Sequence, residues 1–101
     1  MIVYNTTIKI NKSIHEAWTN WLLQEHIPEI MKSKLFSSYA FYKLLEQEDS
    51  EGPTFVLQFF TQSIDTYRDY MDMYAPALRK KEFEKWGLIY VAFTTLLETV
   101  Q

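Results

Sequence analysis

His26 is the side chain in this sequence that is best suited to acid–base chemistry. It stands just before Pro28 and Glu29, where a predicted helix turns a corner at the mouth of a cleft. An imidazole exchanges protons near neutral pH, so His26 could act there as a general acid or base, with Glu29 as a second candidate for ligand contact. The alternative is a structural histidine that hydrogen-bonds the backbone of the corner.

Three further side chains complete the candidate ligand-binding set. Asn5 lies among strand residues expected to face inward, and a buried amide there must find a partner, either a ligand or a neighbouring backbone group. Trp21 and Tyr70 lie on the two predicted helices and could form an apolar wall. Tryptophans are equally typical of core or interface anchors, and that alternative stays open for Trp21.

Other kinds of chemistry are not indicated by the residue pattern. The two histidines, His15 and His26, are far apart in sequence, whereas a helical zinc pair needs the i and i+4 positions. The chain has no cysteine, and it has no glycine-rich phosphate loop or nucleophile elbow. We therefore expect neither a bound metal nor any other cofactor.

Composition limits the classes of protein to which the chain can belong. It has 101 residues, 48% of them hydrophobic and 17% aromatic, which predicts a single domain over residues 1–101 with a substantial core. The net charge of −3 disfavours nucleic-acid binding, which needs a basic surface. No apolar run approaches the ~18 residues of a membrane span, and no secretory signal is visible, so we expect a cytoplasmic protein.

Alternating and β-branched patterns predict four strands. They cover residues 2–10, 35–45, 54–61 and 88–100. Phe36, Ala40 and Tyr42 are expected to share one face of the second strand, and the acidic stretch 46–51 is expected to be a solvated turn.

Two helical segments are predicted between these strands. In the first, Ser13 and Glu16 match a capping box, and Pro28 should end or kink the helix or start a short second one. In the second, Ser63 is the expected cap and Pro76 should kink or divide the helix. The run Arg79-Lys80-Lys81 fits the negative end of the helix dipole, and Gly87 is the expected stop.

The element order predicts an α+β, ferredoxin-like βαββαβ fold: a four-stranded antiparallel sheet with two helices on one face. Three of the strands are apolar on both faces, although two helices can cover only one face. Large apolar patches rarely stay exposed on a monomer. We therefore expect a homodimer, a dimeric α/β barrel in which two sheets pack face to face.

Several short motifs are spread over nearly the whole chain: Tyr4-Asn5, Trp18 with Trp21, His26-Ile27-Pro28-Glu29, Ala75-Pro76-Ala77-Leu78, Phe93 and Thr95-Leu96-Leu97-Glu98. In these motifs the chain resembles a family of short bacterial proteins known only as a domain of unknown function. More distantly, its layout is similar to the dimeric α/β-barrel superfamily, which includes cofactor-free monooxygenases, haem-degrading enzymes and small isomerases. The haem degraders resemble it in an asparagine at the position of Asn5, but residues 63–86 lack the histidine that would ligate haem.

Three functions stay open, because a fold of this kind does not carry a function by itself. The first is a dimeric module that binds a small ligand or is non-enzymatic, with a small lipophilic molecule as the candidate ligand. The second is a cofactor-independent monooxygenase or isomerase for a small aromatic or lipophilic substrate, with His26 as base, Asn5 as orienting donor, and Trp21 with Tyr70 as apolar wall. The third is an interaction subunit that binds another protein through an exposed sheet edge.

Overall fold

A computed structural model describes residues 1–87 and 90–101, and of Tyr90 only the backbone. Within these residues the strands are β1 (Ile2–Ile10), β2 (Ser38–Lys43), β3 (Thr54–Thr61) and β4 (Tyr90–Glu98). The α-helices are α1 (His15–Trp21), α2 (Ile27–Met31), α3 (Ile64–Met73) and α4 (Ala75–Trp86), with a π-helical turn at Leu22–His26 between the first two. The start of the last predicted strand, residues 88–89, lies outside the described residues.

The strands form one antiparallel sheet in the order β2–β3–β1–β4. This order and direction are those of the ferredoxin-like fold, so the predicted fold class is confirmed. The central strand β1 pairs with β3 on one side and β4 on the other, which sets Asn5 between Gln58 and Thr95. The helices pack on one side of the sheet, called the helix face below.

The opposite side of the sheet, called the open face below, has no helix on it in the described part of the chain. Successive residues of a strand point to opposite faces, and the register extends that alternation across the sheet. The open face is made mainly of Val3, Asn5, Thr7, Lys9, Ala40, Tyr42, Val56, Gln58, Phe60, Val91, Phe93, Thr95 and Leu97. Because Phe93 is 61% exposed and Val91 is 68% exposed there, the predicted two-sided apolar sheet is confirmed.

The first helical segment continues through Pro28 instead of ending there. The N–H of Ile27 donates to the carbonyl of Leu22, which is the wider i to i+5 spacing of a π-helical turn. Pro28 then falls in the first turn of α2, where a missing N–H costs little. The predicted short second helix is therefore confirmed, and the π-helical turn contains His26.

The predicted capping box at the start of this segment is wrong. The Ser13 hydroxyl and the Ser13 N–H both donate to Oδ1 of Asn11, at 2.8 and 2.9 Å, and α1 starts only at His15, with no side-chain cap. An asparagine side chain readily accepts a hydrogen bond from the backbone N–H two residues further on. Ser13 is held in this local turn with Asn11 and therefore does not cap the helix.

The second helical segment begins, divides and ends near the predicted residues. Ser63 Oγ accepts a hydrogen bond from the Thr66 N–H at 3.3 Å and so caps α3. Pro76 lies in the first turn of α4, and the segment is divided at Tyr74. Gly87 ends α4 with a φ of +66°, a conformation that favours glycine.

The second strand is shorter than predicted, and one of its residues belongs elsewhere. Phe36 precedes β2 and is buried in the core, its ring edge-on to Tyr70 at 4.8 Å between centroids. Ala40 and Tyr42 instead lie on the open face. The expectation that all three share a face is therefore wrong, because the strand alternation begins only at Ser38.

The two glycines of the chain provide a test of the backbone geometry. A Cβ on Gly52 (φ +143°) would lie 1.8 Å from the Ile10 carbonyl oxygen, whereas a Cβ on Gly87 would meet no atom of the described residues within 4 Å. Gly87→Ala should lower the free energy of unfolding by about 2 kcal/mol through backbone strain alone. Gly52→Ala adds a collision and should cost about 4 kcal/mol, measured by urea unfolding. Equal losses in the free energy of unfolding for the two substitutions would contradict the close approach of Gly52 to the Ile10 carbonyl at the end of β1.

Candidate functional site

A cavity of about 340 Å³ lies between the helices and the helix face of the sheet. Its floor consists of strand side chains: Tyr4, Thr6, Ile8, Leu57 and Phe59. Its roof consists of apolar side chains from both helical segments: Trp18, Leu22, Ile30, Ala75 and Leu78. A largely apolar cavity of this volume is of the size that takes a small organic molecule.

The cavity opens along the edge strand β4. Ala92 and Thr94 line it from β4, while Phe83 and Gly87 line it from the end of α4. Ala92 and Thr94 are exposed, although they are on the helix face of the sheet, and Phe83 is 57% exposed. The helices therefore leave this edge of the sheet uncovered, and a ligand can enter there.

Four polar side chains face the cavity from the helices: His26, Tyr70, Arg79 and Glu82. His26 Nε2 lies 3.4 Å from Glu82 Oε2, so the two form an ion pair when the imidazole is protonated. The His26 side chain is buried, and its ring stacks on Trp21 with 4.5 Å between centroids. The indole thus holds the imidazole in one orientation toward Glu82.

The local fold explains why His26 reaches this position. The π-helical turn inserts its extra residue just where the histidine lies, between α1 and α2. Behind His26, Trp21 meets Trp86 edge-on at 5.8 Å, which ties the turn to the end of α4. Single π-helical turns inside α-helices are frequent at functional sites.

Tyr70 supplies a neutral hydroxyl to the cavity. It is packed in an aromatic cluster with Tyr4, Phe36 and Tyr74. Burial raises the pKa of the Tyr70 hydroxyl well above its usual range, the Tyr4 hydroxyl raises it further, and the positive charge of Arg79 opposes the rise. At neutral pH this phenol therefore keeps its proton and can donate a hydrogen bond.

Arg79 is a site residue that the sequence analysis assigned differently. It was expected to serve only as a cation at the negative end of a helix dipole, but it lines the cavity together with Glu82. The signal was present in the helical spacing of Ala75, Leu78, Arg79 and Glu82, because positions three or four apart share one face. Lys80 and Lys81 directly follow Arg79 but do not line the cavity, so in the sequence the three form one run of positive charge.

The five predicted site residues do not all belong to the same cavity. His26 and Tyr70 line the cavity, and Trp21 supports His26 from behind. Glu29 forms an ion pair with Lys81 and lines a separate cavity of about 280 Å³ between helical segments.

Asn5 lies on the open face, so its expected inward position is wrong. Gln58 Nε2 donates to Asn5 Oδ1 at 3.1 Å, and Asn5 Nδ2 donates to Thr95 Oγ1 at 3.2 Å. Strand alternation sends Tyr4 and Thr6 into the cavity and therefore Asn5 away from it. The amide is satisfied by the two strands on either side of it.

Within residues 1–87 and 90–101, no three His, Asp or Glu side chains converge in a way that could hold a metal ion. None of the helices in that same part of the chain combines the length and the apolarity that a membrane crossing requires.

The fold and its cavity define a ferredoxin-like α+β protein, and solved structures share this fold. A dimeric ferredoxin-like protein from an uncultured marine organism has a TM-score of 0.78 and 12% identity, covering 99% of this chain and 95% of its own. SnoaB, a cofactor-independent oxygenase from Streptomyces nogalater, has a TM-score of 0.65 and 9% identity, with coverages of 99% and 93%. A monooxygenase from Streptomyces coelicolor in complex with nanaomycin D has a TM-score of 0.60 and 11% identity, with coverages of 99% and 89%.

The family can be stated directly. The chain belongs to the family described as a domain of unknown function, DUF4286, whose model matches residues 1–100. This confirms the resemblance noted from the motifs. Among curated proteins, none matches the chain.

Proposed function

We propose that this protein is a homodimer that binds a small, largely apolar molecule in the cavity between its helices and its sheet. The observation that carries the proposal is the 340 Å³ cavity, with an apolar floor and roof and the polar groups of His26, Tyr70, Arg79 and Glu82 in its wall. Apolar walls supply affinity, and a few placed polar groups supply orientation. The fold neighbour that holds nanaomycin D supports this use of the fold.

The open face supports the homodimer. Tyr42, Val91, Phe93 and Leu97 are each more than 40% exposed on it. An apolar surface of this kind is stabilised when a second sheet packs against it, about 10 Å away. A neighbour with the same fold is itself dimeric, which supports a homodimer here. The polar ladder of Gln58, Asn5 and Thr95 would lie inside this interface with its mutual hydrogen bonds already formed.

Two threonines test the cavity. Thr94 lines it, whereas Thr99 is exposed beyond the end of β4 and does not line it. Thr94→Trp should fill the entrance and weaken binding of the neutral fluorophore N-phenyl-1-naphthylamine at least about tenfold. Thr99→Trp adds the same indole at the exposed residue and should leave the dissociation constant within about twofold. Fluorescence titration measures both, and equal effects of the two substitutions would refute the assignment of the cavity.

A charge on the open face tests the dimer. Phe93→Glu would bury a carboxylate between two apolar sheets, so the protein should sediment as a 12.1 kDa monomer at micromolar concentration, whereas the unmodified chain should sediment at twice that mass. Leu45→Glu, at a residue that is 73% exposed outside the strands, is the matched control and should remain dimeric. A monomeric unmodified chain would contradict the proposal.

A second candidate function is cofactor-independent oxidation or isomerisation of an aromatic ketone. The observation that favours it is the pair formed by the buried His26 and the half-buried Glu82 in the cavity wall. If His26 takes a proton from an acidic C–H of the bound molecule, the Glu82 carboxylate stabilises the imidazolium that forms. Molecular oxygen can then react with the resulting carbanion without a metal or flavin.

Anthrone, whose C–H is acidic and whose oxidation product is readily detected, is a suitable probe of this second function. His26→Gln should lower the rate of anthraquinone formation about 100-fold or more, because the base is lost. His15→Gln removes the other histidine, which does not line the cavity, and should leave the rate unchanged. A rate in the His26 variant equal to that of the unmodified protein would exclude His26 as the base and leave ligand binding as the function.

A further inference from the structure

Most charged residues of α4 have an ion-pair partner in the described part of the chain, but Arg79 and Lys85 do not. Lys85 Nζ instead lies over the Trp86 ring, 5.4 Å from its centroid. Lys80 Nζ lies 3.9 Å from Glu84, Lys81 pairs with Glu29, and Glu82 lies beside His26. For Arg79, no carboxylate lies within ion-pair distance anywhere in residues 1–87 and 90–101. Within the same residues, its polar contact is the weak one from Nη2 to the Met71 sulfur, at 3.9 Å.

This unpaired guanidinium is also the one that faces the cavity. Arg79 lines it, whereas Lys80 and Lys81 do not. The acidic residue nearest to it along the cavity wall, Glu82, is already directed to His26. The wall therefore presents a cation with free donors at the side where the cavity meets solvent.

We infer that the natural ligand is a small aromatic anion whose negative group binds Arg79 while its ring lies on the apolar floor. This inference rests on the proposed ligand-binding function and names its ligand class. A guanidinium presents a planar fork of N–H donors that matches a carboxylate or sulfonate oxygen pair. The ring would meet Leu57 and Phe59, which line the floor without a charge.

Tyr70 fits the same assignment. The positive charge of Arg79 acts on the hydroxyls of both Tyr67 and Tyr70, where it opposes the rise in pKa that burial causes. The guanidinium and the protonated Tyr70 phenol both line the cavity wall, where the Glu82 carboxylate also acts on the Tyr70 hydroxyl. A neutral phenol donates to an anionic oxygen without adding a second negative charge.

A pair of nearly isosteric competitors tests the inference. Naphthalene-1-carboxylate and naphthalene-1-carboxamide have the same ring and differ in charge, and each is used to displace N-phenyl-1-naphthylamine from the cavity. The carboxylate should displace it at about one-tenth of the concentration that the carboxamide needs, since a charge-assisted pair is stronger than a neutral one. In Arg79→Leu the two competitors should become equal within about twofold.

Two control substitutions complete the experiment. Arg68→Leu removes the same charge from an exposed residue that does not line the cavity, and it should keep the preference for the carboxylate. Arg79→Lys keeps the charge but not the fork, and it should keep part of that preference. The measured quantity is the ratio of the carboxamide concentration to the carboxylate concentration that displaces the fluorophore. A ratio near one in the unmodified protein, or an unchanged ratio in Arg79→Leu, overturns the inference.

This concentration ratio, together with the effect of Thr94→Trp, shows whether the inference alone fails or the proposed function fails as well. If Thr94→Trp abolishes fluorophore binding while Arg79→Leu leaves the ratio unchanged, the cavity binds ligands but Arg79 does not select anions. If Thr94→Trp leaves fluorophore binding intact, the cavity is not the binding site, and the inference falls with the proposed function.

Discussion

The structure depends on one mismatch: a four-stranded sheet with apolar side chains on both faces has helices on only one of them. On the helix face, Ile8, Leu57 and Phe59 pack beneath the helices and form the core. On the open face, Phe93 and Val91 are left largely exposed. Because exposed apolar area on this scale favours association, the same sheet supplies the core of one chain and, in our proposal, the interface with a second.

The helices on the covered face are interrupted, and the interruptions shape the cavity. The π-helical turn before Pro28 turns His26 inward onto Trp21. The break at Tyr74, set by Pro76, starts a second helix whose inner face bears Arg79 and Glu82. Two unbroken helices would present a continuous apolar stripe to the sheet. Between these interrupted helices and the sheet lies the 340 Å³ cavity, with polar groups in its wall.

Strand alternation keeps the two functions of the sheet apart. Thr94 lines the cavity and Thr95, its neighbour in β4, belongs to the open face. Asn5 likewise lies with Gln58 and Thr95 and not with a ligand. In our proposal, ligand binding and association can therefore change independently, because the side chains that serve them lie on opposite faces of the sheet.

The sequence by itself determined the order of the elements, the ferredoxin-like sheet and its two apolar faces, because these follow from local periodicity and from prolines and glycines at defined positions. It also singled out His26 and Tyr70. Only the tertiary structure decided that Glu82 meets His26, that Arg79 faces the cavity, and that Asn5 and Glu29 lie elsewhere. Those relations join residues far apart in the chain, or depend on which face of the sheet the helices cover, and neither is encoded in the spacing of any one segment.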